Sequence, residues 1–443
     1  MHRRTLPILV VSIAMAWWSC GPTQTQPSND GEELTTLDQL AQVYVKLGLK
    51  LGQVDANYVD AYYGPESWQA DAEAKPIELG ELRHQAQDLL EKLEAYEVSG
   101  QTLLERRHLY LRKQVTAMIA RIAMLEGNAL DFDVEARRVY DAEPPKYPLE
   151  HFKALVTQLE EVLPGEGNLQ QRLQAFRDRF VIPPEKLDQV FQAAIEEARK
   201  RTKAQLDLPE HETFTVEYVT GKPWSGYNWY KGNATSLIQV NIELPITIDR
   251  AIDLACHEGY PGHHVYNLLL EQHLVKEKGW QEFSFYPLFS PQSLIAEGTA
   301  NYGIQAAFSD EERLAFEKDV LFPLAGLDGE TADEYYRVMG LLDKLKYAGN
   351  EAARAYLNGT IDRGTAVSWL TDYALMSKPK AEQRIDFFET YRAYVINYNL
   401  GEDLVAGYVA SRSDEGDMDA KWRAFQTLLS TPWVPSQLHD TGE

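Results

Sequence analysis

Residues 257–264 read His-Glu-Gly-Tyr-Pro-Gly-His-His, gathering three of the chain's ten histidines into eight positions with a glutamate directly after the first. Neutral imidazole is the commonest side-chain ligand of zinc, and a glutamate next to a ligand histidine is where a zinc hydrolase carries its general base. The usual helical spacing puts a second histidine four residues after the first. Pro261 stands there instead. Proline lacks an amide hydrogen and clashes with the carbonyl four residues back, here that of His257, and Gly262 then relaxes the backbone. The spacing therefore predicts a helix that breaks or bulges between Glu258 and His263 and resumes through Val265, Leu268 and Leu269. In an unbroken helix His264 would share the face of His257 but lie about 10.5 Å along the axis, far for two rings on one ion. A two-residue bulge would bring His263 into the register of the missing histidine. His263 is the preferred partner of His257, and His264 is the alternative ligand.

Catalytic zinc needs a third protein ligand and an open position. Ser290-Pro291 places a capping residue before a proline at the first helical position. The helix that follows carries Glu297 inside an otherwise apolar stretch, where an unpaired buried carboxylate is costly and a metal would offset that cost. Asn301, one turn later, is placed to orient a ligand imidazole. The expected set is one zinc ion on His257, His263 and Glu297, with Glu258 taking a proton from water and passing it to the leaving amine.

These residues must be carried by helices. Leu37, Leu40, Tyr44, Leu47 and Leu51 recur at alternating three and four residues, as do Leu82, Ala86, Leu89 and Leu93, then Leu111, Val115, Met118 and Ile122. Leu187, Phe191, Ala194 and Ala198 continue the pattern after Pro183-Pro184. His108 falls on such a stripe and reads as a core histidine. Strand signals are confined to Thr213–Val219 and 236–244, separated by a connection rich in Gly, Trp and Tyr. The reading is a mostly α fold: one large helical domain over 36–443 with a small inserted antiparallel sheet.

Net charge is −24, which argues against nucleic acid or anionic lipid as partners. At the N-terminus, Arg3-Arg4, an apolar run from Leu6 to Trp18 and Ser19-Cys20-Gly21 resemble a bacterial lipoprotein signal. That predicts a signal over 1–19, lipidation of Cys20, a polar tether over 20–35 and anchoring in the cell envelope by lipid alone. Cys256 is the only other cysteine, so no intrachain disulfide would form. It reads as a small core residue.

His257-Glu258-x-x-Pro261-Gly262-His263-His264 followed by Glu297-Gly298-x-Ala300-x-Tyr302 resembles the bacterial family named domain of unknown function 885, grouped with gluzincin-type zinc metallopeptidases. Val240-Asn241 and Tyr398-Asn399-Leu400-Gly401 match further elements of its pattern. The resemblance implies a gluzincin-like architecture and hydrolysis of short peptides, with Tyr398 as a hydrogen-bond donor to the oxyanion. It also implies that the 236–244 strand holds extended substrate by strand addition, Asn241 and Tyr260 being assigned to substrate contact. Two departures stand out: Thr299 replaces the family's usual Trp, and its later Asp-x-Gly-x-His segment has no counterpart around 345–365. The first implies a differently shaped pocket wall; the second favours an alternative reading, a non-catalytic lipoprotein that binds a peptide or envelope partner and retains the fold, with or without the metal. A non-peptide amide or ester is the third substrate class to weigh.

Overall fold

The apolar stripes become helices that bury them. Leu37–Val54, Leu79–Ala95 and Thr102–Leu125 pack together, with Tyr44, Leu51, Leu82, Leu93, Val115 and Met118 fully enclosed. His108 is half-buried on its stripe and bonds through Nε2 to the Leu93 carbonyl, so it ties two of these helices together. The computed structural model describes residues 36–439 apart from Pro164, Pro223 and Glu415. The expected signal, Cys20 and tether lie outside the described residues. From Leu37 onward the described residues form one compact unit.

Among the described residues five strands interrupt the helices: β1 (Val59–Tyr62), β2 (Thr213–Val219), β3 (Gly226–Tyr230), β4 (Thr235–Asn241) and β5 (Phe285–Pro287). β1 and β5 form an antiparallel pair, and the other three make a sheet in the order β2-β4-β3. The fold is mostly α, as expected, but this sheet is mixed. β3 and β4 are antiparallel, whereas β2 and β4 run parallel from Thr213↔Thr235 to Val219↔Asn241. The chain reverses direction between β2 and β3 and again between β3 and β4, so the first and last strands point the same way.

β3 lies within the aromatic connection that the sequence pattern left without a strand, because its burial does not alternate. β4 is correspondingly shorter than expected. It stops at Asn241 and sits in the middle of the sheet.

Two helices cross unusually closely. Pro291–Ala307 meets Ile396–Ala410 where Gly298 faces Gly401, and a Cβ on either glycine would run into the other's backbone. This contact explains why Glu297-Gly298 and the Tyr398-x-x-Gly401 motif belong together. It brings Glu297, Asn301 and Tyr398 to one place.

Candidate metal centre

The octapeptide folds around its proline. An α-helix from Ile248 to Leu254 widens into a π-turn over Ala255–Gly259, the chain breaks at Tyr260–Gly262, and a second helix runs from His263 to Leu270. The Tyr260–Pro261 peptide is cis. The Gly262 amide donates to the Cys256 carbonyl at 2.9 Å. A Cβ on Gly262 would fall on the carbonyl oxygens of His257 and Cys256, so only glycine fits this close approach.

The bulge turns the rings of His257 and His263 toward each other, with centroids 4.7 Å apart. Glu297, from the 291–307 helix, reaches between them. Its Oε2 lies 3.6 Å from His257 Nε2 and 3.9 Å from His263 Nε2. One donor atom from each of the three residues falls within 4.8 Å of the others. The His257 and His263 side chains remain 18% and 13% exposed, so the group opens to solvent on one side.

Neighbouring residues hold these donors. Asn301 Oδ1 is 2.8 Å from His257 Nδ1, and the Asn301 amide donates to the Tyr398 carbonyl. Asn301 thereby places the ring proton on Nδ1 and leaves the Nε2 lone pair facing Glu297. The Tyr394 hydroxyl donates to Glu297 Oε1 at 2.9 Å, while Glu297 Oε2 is buried with no hydrogen-bond partner. Native proteins rarely leave a carboxylate oxygen so.

Glu258 stands beside the group, its Oε1 3.9 Å from His257 Nε2. It packs on Gly226 of β3, where a Cβ would come within 2.7 Å of Oε1. Asn228, also on β3, donates to the Glu258 carbonyl.

Electrostatics make the same point. Burial pushes the Glu297 carboxyl up to about 8, against the Tyr394 hydrogen bond. Burial and then the nearby Glu297 push Glu258 up to about 8. Burial, with Arg250 adding to it, holds His257 down to about 4, and burial holds His263 well below its ordinary range. A divalent cation would draw the two carboxyls back to their ionised form and would bind the two imidazoles in the neutral form that burial already favours.

The remaining site expectations fare unevenly. Tyr398 is half-buried near both carboxyls, and burial followed by Glu297 raises its phenol, keeping it a neutral donor. His264 turns away from the group. It is wholly buried, with Nδ1 2.8 Å from Ser236 Oγ and Nε2 3.3 Å from Glu212 Oε2, because one helical residue past His263 rotates it by about 100°.

Tyr260 is likewise removed from any substrate space. It is 2% exposed and its hydroxyl donates to Glu212. Asn241 is occupied with its own loop, donating to the carbonyls of Lys222 and Trp224. Nor is β4 the free edge that strand addition needs. β2 and β3 are the two edge strands of this sheet among the described residues, and of these β3 borders Glu258. Cys256 is fully buried, and burial raises its thiol, in keeping with a core residue.

Asp60 and Tyr394 went unnoticed in the sequence. Asp60, on β1, accepts from Tyr227, and burial raises it to about 6 near Glu258 and Glu297. Nothing around it repeats or matches a motif. Tyr394 precedes Tyr398 by one helical turn, a spacing that was readable.

The histidine assignment can be tested by substitution. His264→Ala should keep bound metal and lower the unfolding free energy by about 1–3 kcal/mol, since Glu212 and Ser236 each lose a buried partner. His263→Ala should lose the metal. Metal content after dialysis and urea midpoints for both variants check this, and loss of metal from the His264 variant alone would reverse the assignment.

No protein-family model and no curated protein matches the chain. Solved structures do. A protein described as a lipoprotein, from Colwellia psychrerythraea, superposes with a TM-score of 0.51 at 15% identity, over 81% of this chain and 65% of that one. The two share a fold, and the chain spans just under two thirds of the length of that relative. A lipoprotein of unknown function from Shewanella oneidensis gives a TM-score of 0.44 at 13% identity, over 92% of this chain and 78% of that one. An M32 carboxypeptidase from Deinococcus radiodurans R1 gives 0.42 at 15% identity, over 91% and 94% of the two chains.

Proposed function

We propose that this chain is a zinc-dependent hydrolase of short peptides, related to the domain of unknown function 885 family. The observation that carries the reading is the meeting of His257, His263 and Glu297 around the unpartnered, buried Oε2 of Glu297. Two imidazole nitrogens and one carboxylate oxygen are a donor set that suits zinc and leaves a fourth position open.

When bound, zinc supplies a Lewis acid that acidifies water and polarises a carbonyl. Glu258 stands next to the donors without joining them and would serve as the base that receives a proton from water and returns it to the leaving amine. Tyr398, kept neutral, would donate a hydrogen bond to the developing oxyanion. Asn301 fixes the His257 tautomer, and Tyr394 fixes the rotamer of Glu297. The outer edge of β3 would take an extended peptide by strand addition, in the place first assigned to β4.

Lipid anchoring through Cys20 in the bacterial envelope, with no nucleic-acid partner, completes the proposal. Among the described residues no helix is long and apolar enough to cross a membrane. The second reading, a binding lipoprotein without catalysis, draws on the missing Asp-x-Gly-x-His segment. Ala348–Leu357 is a helix there, with Asn350 bonded to Asn399.

Purified protein should carry one zinc per chain and cleave members of a mixed peptide library. Chelation should abolish cleavage and added zinc restore it. Stoichiometric zinc with no cleavage would favour the binding protein, and absence of zinc would sink the site itself.

A further inference from the structure

The break at Tyr260–Gly262 separates the two candidate histidine ligands, and no side chain caps the helix that starts after it. A shift of one residue in where that helix starts would turn His263 by about 100° and away from His257. Whatever ties the two sides of the break together therefore also fixes one ring against the other.

A single carboxylate makes that tie. Glu212 Oε2 accepts from the hydroxyl of Tyr260, just before Pro261, and lies 3.3 Å from Nε2 of His264, just after His263. An ionised carboxylate can only accept, so His264 carries its proton on Nε2, and its Nδ1 accepts from the Ser236 hydroxyl of β4 at 2.8 Å. The other oxygen, Oε1, accepts from Arg199 at 2.6 Å and from Lys203 at 3.4 Å, both on the helix Leu187–Gln205. The Glu212 side chain is wholly enclosed and stands directly before β2. Phe214 of β2 packs on the Tyr260 and His264 rings, with centroids 5.1 and 5.3 Å away, and it is the register partner of Ser236. A helix and a strand thus hold the carboxylate while its second oxygen grips the break from both sides.

We infer that Glu212 is a positioning residue for the metal centre: by clasping Tyr260 and His264 it sets the register of the second helix, and so the approach of His263 to His257. Tyr260 acquires a role here, as one arm of the clasp. The inference rests on the zinc reading above and not on hydrolysis. Groups that orient ligands from outside the donor set change metal affinity by about 10–100-fold, which sets the scale expected.

Two measurements on the folded full chain test it: zinc affinity by chelator competition, and amide hydrogen exchange in metal-free protein. Glu212→Gln should weaken zinc binding by about tenfold or more. It should also speed exchange at the Tyr260 and Gly262 amides, whose bonds to the Ala255 and Cys256 carbonyls open with the break. Tyr260→Phe removes one hydroxyl, should act in the same direction to a smaller degree, and carries the test if Glu212→Gln does not fold. His264→Ala leaves the Tyr260 arm in place and should retain zinc at reduced affinity.

Glu282→Gln is the control. Glu282 is as buried as Glu212 and is paired in the same way, with Arg107 on the helix Thr102–Leu125. Its loss should lower the melting temperature and leave zinc affinity and exchange at the break as in wild type. A loss of global stability alone does not alter the affinity of the folded state, so the comparison separates the clasp from general packing. Unchanged zinc affinity and exchange in Glu212→Gln and Tyr260→Phe, or equal changes in Glu282→Gln, would overturn the clasp. If the wild type binds no zinc, faster exchange at the break in Glu212→Gln but not in Glu282→Gln would retain the clasp and reject the metal centre; unchanged exchange would reject both.

Discussion

Glu258→Gln is expected to retain one zinc per chain and to lose hydrolysis by about 10²–10⁴-fold, the range for removing a general base. Glu258 is 4% exposed, and the donor group is complete without it. Glutamine keeps the shape that packs on Gly226, and the Asn228 bond goes to the backbone carbonyl, so neither contact is lost. Removing the charge also removes repulsion from Glu297, which, after burial, is what raises the Glu258 carboxyl. The fold should therefore not suffer. Metal analysis, a melting curve and turnover on the same preparation check this. A variant that loses zinc would make Glu258 a ligand, and one within tenfold of wild type would place the base elsewhere.

Gly262→Ala should damage the site through the backbone alone. The added methyl would coincide with the carbonyl oxygens of His257 and Cys256, which belong to the π-turn and cannot rotate aside as a side chain can. Overpacking of this kind costs about 1–3 kcal/mol and occasionally more, and relief requires opening the turn. Opening it moves His257 away from His263, so zinc affinity should fall by about 100-fold or more together with the stability loss. Gly80→Ala is the control. It sits on a helix with open space around it and should leave both quantities unchanged or raise stability slightly. Equal zinc affinity in Gly262→Ala and wild type would show that the bulge is not what aligns the histidines.

The two substitutions probe what was legible in the sequence to different degrees. The 3.6-residue period of Leu40, Tyr44, Leu47 and Leu51 is a local property, and the helix it implies is there. The interruption at Pro261-Gly262 is local too, since a missing amide hydrogen and a missing Cβ act on their own turn. Glu297 could be singled out because a carboxylate in an apolar helix needs a partner wherever that helix packs.

Sheet order was not local. β4 looked like an edge strand until β2 was found on its far side, and β3 was hidden in an aromatic stretch whose pattern reflects contact with several elements at once. Tyr260 and His264 were drawn toward the site by their place in the octapeptide. Glu212, 48 residues before Tyr260 and 52 before His264, claims both in a buried network.

Residue types and spacing along the chain thus pointed to the helices, the break and the candidate donors His257, His263 and Glu297, because each is marked by neighbours within a turn or two; their meeting is a matter of packing. Packing between distant segments assigned the rest: Tyr394 to Glu297, Asn301 to His257 and Asp60 to Tyr227. Hydrogen bonds and charges act over a few ångströms in space, so residues far apart in sequence acquire a role only when the Gly298–Gly401 crossing and the sheet bring them within that range.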